Sequence, residues 1–96
     1  MEITSKNVAE VLREKLNDGE VKFVFKKADG SRRAAVGTTN IDLIPVDMLG
    51  SHLTPEQSLE EQRMRGVVRY FDIEKQSWRS CKVENILEIE GKEVEE

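Results

Sequence analysis

The chain has 96 residues, of which 15 are basic and 19 acidic, giving a net charge of −4. This length suffices for one domain and is too short for a second independent core. The acidic excess lies at the C-terminal end, because residues 1–83 carry 14 basic and 13 acidic groups. The balance excludes a protein that coats nucleic acid through many uncompensated cations, and it is compatible with a local basic patch.

Targeting, membrane and metal signals are the next features to consider. Residues 1–4 form neither a basic leader nor an apolar run, and no segment approaches the length of a membrane helix, so we expect a cytoplasmic protein without membrane contact. The chain has one cysteine, Cys81, and one histidine, His52, so it can form neither an internal disulfide nor a structural zinc site. We therefore expect no metal and no cofactor, and the small size leaves self-association open.

The N-terminal region has the periodicity of an amphipathic helix. Apolar side chains recur at helical spacing on one face, at Val8, Val11, Leu12 and Leu16. The pattern predicts a helix over residues 5–17, capped by Thr4 or Ser5 and ended by the sequence Asn-Asp-Gly at 17–19.

Two strands should follow as a hairpin. Residues 20–27 alternate apolar and polar side chains, which directs Val21, Phe23 and Phe25 to a core. The Asp29-Gly30 pair predicts a tight two-residue turn into a second strand over residues 31–38. A glycine within that strand, Gly37, marks a sharp bend or the close approach of another backbone.

Residues 45–65 break this rhythm and are interpreted as an insertion. A capping-box pattern that begins at Thr54, with Pro55 at the first helical position, predicts a short, mostly exposed helix over residues 55–64, weakly docked through Leu59 and Met64. We expect His52 to be a solvated loop residue, since no partner for a general base or a proton-sensitive switch is evident.

The C-terminal third predicts the remaining strands. Residues 66–73 and 78–83 form a second hairpin, and a one-turn connector leads to a short closing strand over 87–90. The predicted fold is mainly β (α+β): an N-terminal helix and a five-stranded antiparallel SH3-like or Sm-like barrel spanning residues 1–90, with the insertion at 45–65. Residues 91–96 are expected to be a disordered acidic tail.

No catalytic or phosphate-loop motif appears, so we expect no enzyme activity. Cys81 alternates with Val83 toward an apolar side and is interpreted as a small buried hydrophobic residue. Asp72 and Glu74 could perform paired acid and base work, but solvation at a turn is the simpler interpretation.

Strand arginines beside aromatic residues are the strongest candidates for ligand binding. They are Arg32, Arg33, Arg69 and Arg79, together with Tyr70 and Trp78. Such side chains can bind a phosphate and stack on a base, although they could equally solvate the outer faces and fill the rim of the core. Alternation places Arg32 and Arg33 on opposite faces.

Three neutral polar residues, Thr38, Thr39 and Asn40, follow the second strand. Their hydroxyl and amide groups could contribute hydrogen bonds to a ligand. Capping of the local turn is the alternative.

Several segments resemble those of a family of short proteins from Bacteroides-type bacteria and their phages, described as an SH3 β-barrel or a WYL-like domain with an Sm-like fold. The most specific are Gly-Thr-Thr-Asn at 37–40 and Trp-Arg-Ser at 78–80, and the others include Phe23 to Lys26, Ile44-Pro45 and Tyr70-Phe71-Asp72. The resemblance covers about residues 8–90 and implies, by analogy, binding of nucleotides or nucleic acid. The letters Trp-Tyr-Leu do not occur consecutively, so no ligand site is transferred.

Two functional hypotheses follow. The first is a non-catalytic, phage-encoded binding module that recognises a nucleotide or single-stranded nucleic acid through the arginine and aromatic residues. The alternative is a protein-interaction module, such as an inhibitor or accessory subunit, that binds a host protein through a barrel edge or the inserted helix.

Overall fold

The computed structural model describes residues 2–48 and 55–95, and the predicted position of His52 lies outside these ranges. The elements, in chain order, are α1 (Val8–Asp18), β1 (Val21–Lys26), β2 (Arg32–Thr38), two 3-10 turns (Ile41–Leu43 and Val46–Met48), α2 (Pro55–Arg65), β3 (Val67–Asp72), β4 (Ser77–Lys82), a third 3-10 turn (Val83–Asn85), β5 (Ile86–Ile89) and β6 (Lys92–Glu93). No helix in the described ranges is long and apolar enough to cross a membrane.

The strands form one antiparallel sheet in the order β4-β3-β2-β1-β5-β6. The pairs β1–β2 and β3–β4 are hairpins that run in register over six residue pairs each. The two hairpins meet through only two pairs, Gly37 with Asp72 and Thr38 with Phe71. Because β2 and β3 overlap only at their ends, the hairpins diverge beyond this junction and the sheet bends strongly there.

The core lies between α1 and the concave side of the sheet. The four apolar residues predicted to share one face of α1 are all buried, as are Val21 and Phe23 of β1, while Phe25 is half-buried against the same cluster. Cys81 is buried in it, which confirms its interpretation as a small hydrophobic residue.

Three local predictions differ from the structure. The helix begins at Val8 rather than residue 5, because Thr4 caps a preceding turn, accepting a bond from the Lys6 backbone N–H at 3.3 Å. The loop of the first hairpin is wider than the predicted two-residue turn, because the Lys27 N–H donates to the Ser31 carbonyl and closes the loop around residues 28–30. Within the loop, Asp29 Oδ1 accepts bonds from the backbone N–H and the hydroxyl of Ser31. These side-chain bonds stabilise the wider loop.

The C-terminal segment is the third difference, because the predicted disordered tail is ordered over residues 91–95. Lys92–Glu93 pairs with β5 and raises the strand count in the described ranges from the predicted five to six. Glu95 then bridges to Thr4, with its N–H donating to the Ile3 carbonyl at 2.7 Å. The chain ends are held together by backbone hydrogen bonds that charge composition does not reveal.

Gly37 confirms the prediction of a close approach. A Cβ atom built there would lie 2.6 Å from Cδ2 of Tyr70 and 3.3 Å from the Phe71 carbonyl oxygen. The ring of Tyr70 is fully buried and makes an edge contact with Phe23 at 4.9 Å between centroids, so it has no room to retreat. The junction of the two hairpins therefore requires glycine at this position.

We expect Gly37→Ala to lower the free energy of unfolding by about 1–3 kcal/mol, because the added methyl group overpacks the junction. Gly19→Ala is the matched control, since Gly19 has extended backbone and no heavy atom within 4 Å of an added Cβ. Urea unfolding followed by circular dichroism measures both variants. Equal stability of the two would contradict the proposed steric limit.

Two buried ionisable groups make the core sensitive to alkaline pH. Burial raises the pKa of Cys81 from 9.0 to about 12, and burial together with the neighbouring Cys81 and Asp72 raises the pKa of Tyr70 from 10.0 to about 12. The unfolded chain therefore loses these protons at lower pH than the native protein does. The native state is therefore stabilised by keeping these two groups protonated, and this contribution is fully present below pH 9 and is lost as pH rises toward 12.

We expect the free energy of unfolding to fall above pH 9, with a slope of up to about 1.4 kcal/mol per pH unit for each group. Cys81→Ala should reduce the decline in the free energy of unfolding that begins near pH 9. Tyr70→Phe should reduce the decline that begins near pH 10. Urea titrations between pH 7 and 11 measure the slopes. If both variants keep the slope of the wild-type protein, the loss of stability at alkaline pH does not come from Cys81 and Tyr70.

Candidate functional site

A cleft of about 250 Å³ opens between α2 and the outer face of the β3–β4 hairpin. It brings together three of the sequence-predicted residues, Arg69, Trp78 and Arg79. The other lining residues are Glu61, Gln62, Arg65, Val67 and Ser80.

A stacked pair of side chains forms one wall of the cleft. The guanidinium carbon of Arg69 lies 4.9 Å from the ring centroid of Trp78, which is a cation–π geometry. Trp78 also contacts the buried ring of Phe71 edge-on, with 5.7 Å between centroids. Phe71 and Trp78 are cross-strand partners, so the strand register itself holds the indole in place.

Two further arginines line the cleft. Arg65, at the end of α2, is 3.4 Å from Glu61 through its Nε, and Arg79 of β4 approaches Asp72 through its Nε at 3.9 Å. A guanidinium group has five N–H donors, so Arg65 keeps capacity for a phosphate. Arg79 lines the cleft between Trp78 and Ser80, but its cross-strand partner is the buried Tyr70 and its guanidinium is directed to Asp72. Glu61 is the single carboxylate in the lining.

Polar contacts dock α2 beside the hairpin, and Leu59 of this helix is half-buried. The Gln62 Oε1 accepts bonds from the Arg69 backbone N–H at 2.9 Å and from Arg13 Nε at 3.4 Å, and Arg13 Nη2 donates to the Val67 carbonyl at 2.9 Å. Burial lowers the pKa of Arg13. Met64 is 83% exposed, so this side chain does not dock the helix in the way the sequence suggested.

Asp72 lies outside the cleft lining and anchors the turn end of the β3–β4 hairpin. Its carboxylate is fully buried and accepts a bond from Arg33 Nη2 at 2.7 Å and from the Lys75 backbone N–H at 3.0 Å. With the nearby Nε of Arg79, this one group connects β2, the β3–β4 turn and β4. The interpretation of Asp72 as a solvated turn carboxylate is therefore wrong, because the bent sheet buries both sides of the end of β3.

Several predicted ligand residues have structural roles instead. Tyr70 is 1% exposed in the core, so it cannot stack on a ligand. Arg32 lies outside the cleft lining, 3.6 Å from Glu88, and Arg33 is committed to Asp72, which confirms that they point to opposite faces.

The Thr38, Thr39 and Asn40 group caps the end of α1. The Thr38 hydroxyl and the Thr39 backbone N–H both donate to the carbonyl of Leu16, and the Asn40 side-chain amide donates to the Asp18 carbonyl at 3.4 Å. Helix ends leave carbonyl groups without intrahelical partners, which this segment satisfies. The Asn40 N–H also donates to the Thr38 hydroxyl oxygen and the Asp42 N–H to Asn40 Oδ1, which favours the capping alternative. The ligand role of the three residues stays a prediction.

The sequence analysis missed the contribution of α2 to the cleft. Arg65 precedes β3 by two residues and lies four before Arg69, a spacing that could have indicated a shared basic site. Gly66 has a left-handed backbone with φ of 66°, which ends the helix abruptly and allows Arg65 to stand directly beside the hairpin.

We expect Asp72→Asn to lower the free energy of unfolding by about 3 kcal/mol, because the half-buried Arg33 loses its charged partner. The matched control is Glu88→Gln, which removes the partner of the exposed Arg32 and should cost less than about 1 kcal/mol. Urea unfolding at pH 7 compares the two variants. Losses of similar size would show that Arg33–Asp72 is no more than a surface ion pair.

Comparison with known proteins gives a family and one relative. Residues 9–87 match the model of the WYL_2 family, described as having an Sm-like SH3 β-barrel fold. The chain is also 32% identical over 88 residues to an "Uncharacterized 11.5 kDa protein in Gp31-cd intergenic region" of enterobacteria phage T4, covering 92% of this chain and 82% of the phage protein. No solved structure has significant similarity to the chain.

These matches confirm the predicted fold class, and the phage relative agrees with the implied link to phages. An origin in Bacteroides-type bacteria stays a prediction. The family match spans both hairpins, α2 and most of α1. The chain belongs to the WYL_2 family of Sm-like SH3 β-barrels.

Proposed function

We propose that this protein is a non-catalytic module that binds a nucleotide or single-stranded nucleic acid in the cleft between α2 and the β3–β4 hairpin. The observation that carries the proposal is the convergence of the Arg69–Trp78 stack with Arg65 on one concave surface. The Sm-like fold of the family supports it by analogy.

The chemistry of the cleft suits a phosphorylated, aromatic ligand. Guanidinium groups match the geometry of phosphate oxygens, and Arg65 and Arg69 line the cleft with such groups. Bases stack on aromatic rings and on guanidinium planes, both of which the Arg69–Trp78 pair provides. The Ser80 hydroxyl can donate or accept a hydrogen bond beside them.

Two potentially reactive groups near the hairpin are poorly suited to catalysis, which supports a binding role. Cys81 is the only thiol in the chain, and burial raises its pKa to about 12, so it is protonated at neutral pH and shielded from a substrate. The Asp72 carboxylate is fully buried and bonded to Arg33, so it is poorly placed to accept a proton from a ligand.

Trp78 is the only tryptophan, so its fluorescence reports on the cleft directly. We expect thymidine and uridine nucleotides, and oligonucleotides made from them, to change its emission at low salt, with affinity that falls as salt rises. Arg65→Ala should weaken binding about fivefold to tenfold, because it removes a charge-assisted bond to phosphate.

The matched control is Arg32→Ala, which removes the same charge from a strand outside the cleft. Arg32→Ala should leave the affinity for these nucleotides within about twofold of the wild-type value. No response of Trp78 to any of these probes, or equal effects of Arg32→Ala and Arg65→Ala, would contradict the proposed site.

A protein-interaction module remains the second candidate, favoured by exposed apolar side chains. Ile41 is 69% exposed and Val46 85% exposed in the segment after β2, and Met64 projects from α2. Such side chains suit a protein partner better than a phosphate ligand. Capture of one defined protein that survives nuclease treatment would favour this role over nucleic-acid binding.

A further inference from the structure

A second cleft, of about 530 Å³, lies on the other side of Arg65. Its walls come from the start of α1, the end of β4, β5 and the segment after β6. Arg65 lines both clefts, so the two meet at a guanidinium group.

The outer face of the β3–β4 hairpin also connects the two clefts. Trp78, Ser80 and Lys82 alternate along β4 on the face opposite the buried Cys81; the first two line the first cleft and Lys82 lines the second. These positions span about 13 Å of strand. Val67 lines the first cleft and is the cross-strand partner of Lys82, which lines the second. The two clefts therefore meet at this residue pair.

The second cleft combines an apolar floor with cations at its edge. Leu87 and Val94 are half-buried and provide apolar surface beside the buried Val8 and Ile86, while Arg65 and Lys82 outnumber the single lining carboxylate, Glu84. Apolar surface can pack against the face of a base, and the cations can pair with phosphates on either side of it.

The ordered C-terminal segment completes this second cleft. The Val94 backbone N–H donates to the Leu87 carbonyl at 2.8 Å, and the neighbouring Glu95 is bonded to residues 3 and 5. Val94 is thereby fixed against β5 as part of the wall.

We infer that the two clefts form one continuous track for a single-stranded nucleic acid of at least two nucleotides, with Arg65 holding the phosphate between them. This inference rests on the proposed function and specifies its ligand as a strand rather than a free nucleotide. One nucleotide occupies the first cleft beside Trp78. The next lies on the apolar floor of the second cleft, with its phosphate at Lys82.

The experiment compares thymidine 5′-monophosphate with 5′-phosphorylated tetrathymidylate, and the corresponding uridine probes, by Trp78 fluorescence. If the protein binds only one nucleotide, a tetranucleotide gains at most about fourfold in affinity, because any of its four nucleotides can occupy the site. We expect at least about a twentyfold gain in the wild-type protein, since neighbouring subsites bind one strand together.

The variant Lys82→Ala should weaken tetranucleotide binding at least about fivefold and leave mononucleotide binding within about twofold, because it removes a cation from the second cleft alone. Lys26→Ala, on the exposed end of β1, is the charge-matched control and should change neither.

The outcomes separate the inference from the function on which it rests. If the mononucleotide binds and the tetranucleotide has an affinity no more than fourfold higher, the continuous track is overturned and the first cleft remains a nucleotide site. An unchanged tetranucleotide affinity in Lys82→Ala also overturns it. Absence of binding by all probes overturns the proposed function together with the track.

Discussion

The buried ion pair between Arg33 and Asp72 is the constraint on which the arrangement of the two hairpins depends. A carboxylate removed from water must be paired and hydrogen-bonded, because its desolvation is otherwise prohibitive. Asp72 meets this requirement with a side chain of β2 and the backbone of the β3–β4 turn. Since β2 and β3 share only two residue pairs, the carboxylate supplies the cross-link that their short ladder lacks.

This cross-link also orders the candidate site. The turn that Asp72 closes leads directly into Ser77, Trp78 and Arg79, and Asp72 also lies 3.9 Å from the Arg79 guanidinium. The position of the cleft wall is therefore set by a contact inside the protein before any ligand arrives. Preorganised side chains lose less entropy on binding, which suits a small site with few contacts.

The sequence was sufficient to predict the elements whose periodicity is regular. The apolar face of α1, the two hairpins and the special position of Gly37 are as expected. Prediction was least successful at the end of β3, where Tyr70, Phe71 and Asp72 are all buried in succession. Strand alternation assumes one exposed face, and the sharp bend at this point covers both.

The site was only partly predictable for a related reason. Alternation indicates on which face Arg69 and Trp78 lie, but the placement of α2 beside that face depends on Gln62, whose side chain bridges Arg13 and the Arg69 backbone. Likewise, the capping role of the Gly-Thr-Thr-Asn segment depends on carbonyl groups more than twenty residues earlier in the chain. Long-range polar contacts of this kind have no local sequence signature.

The central claim, that the outer face of the β3–β4 hairpin and its clefts bind a nucleic-acid strand, can be mapped residue by residue. The most direct measurement is the change in amide and indole chemical shifts of ¹⁵N-labelled protein on addition of 5′-phosphorylated tetrathymidylate or its uridine counterpart. We expect saturable shifts at the Trp78 indole and the Ser80 and Lys82 amides, with little change at Thr39 and Asn40, which cap the end of α1. Shifts confined to the segment around Ile41 and Val46, or no saturable shifts at all, would contradict it.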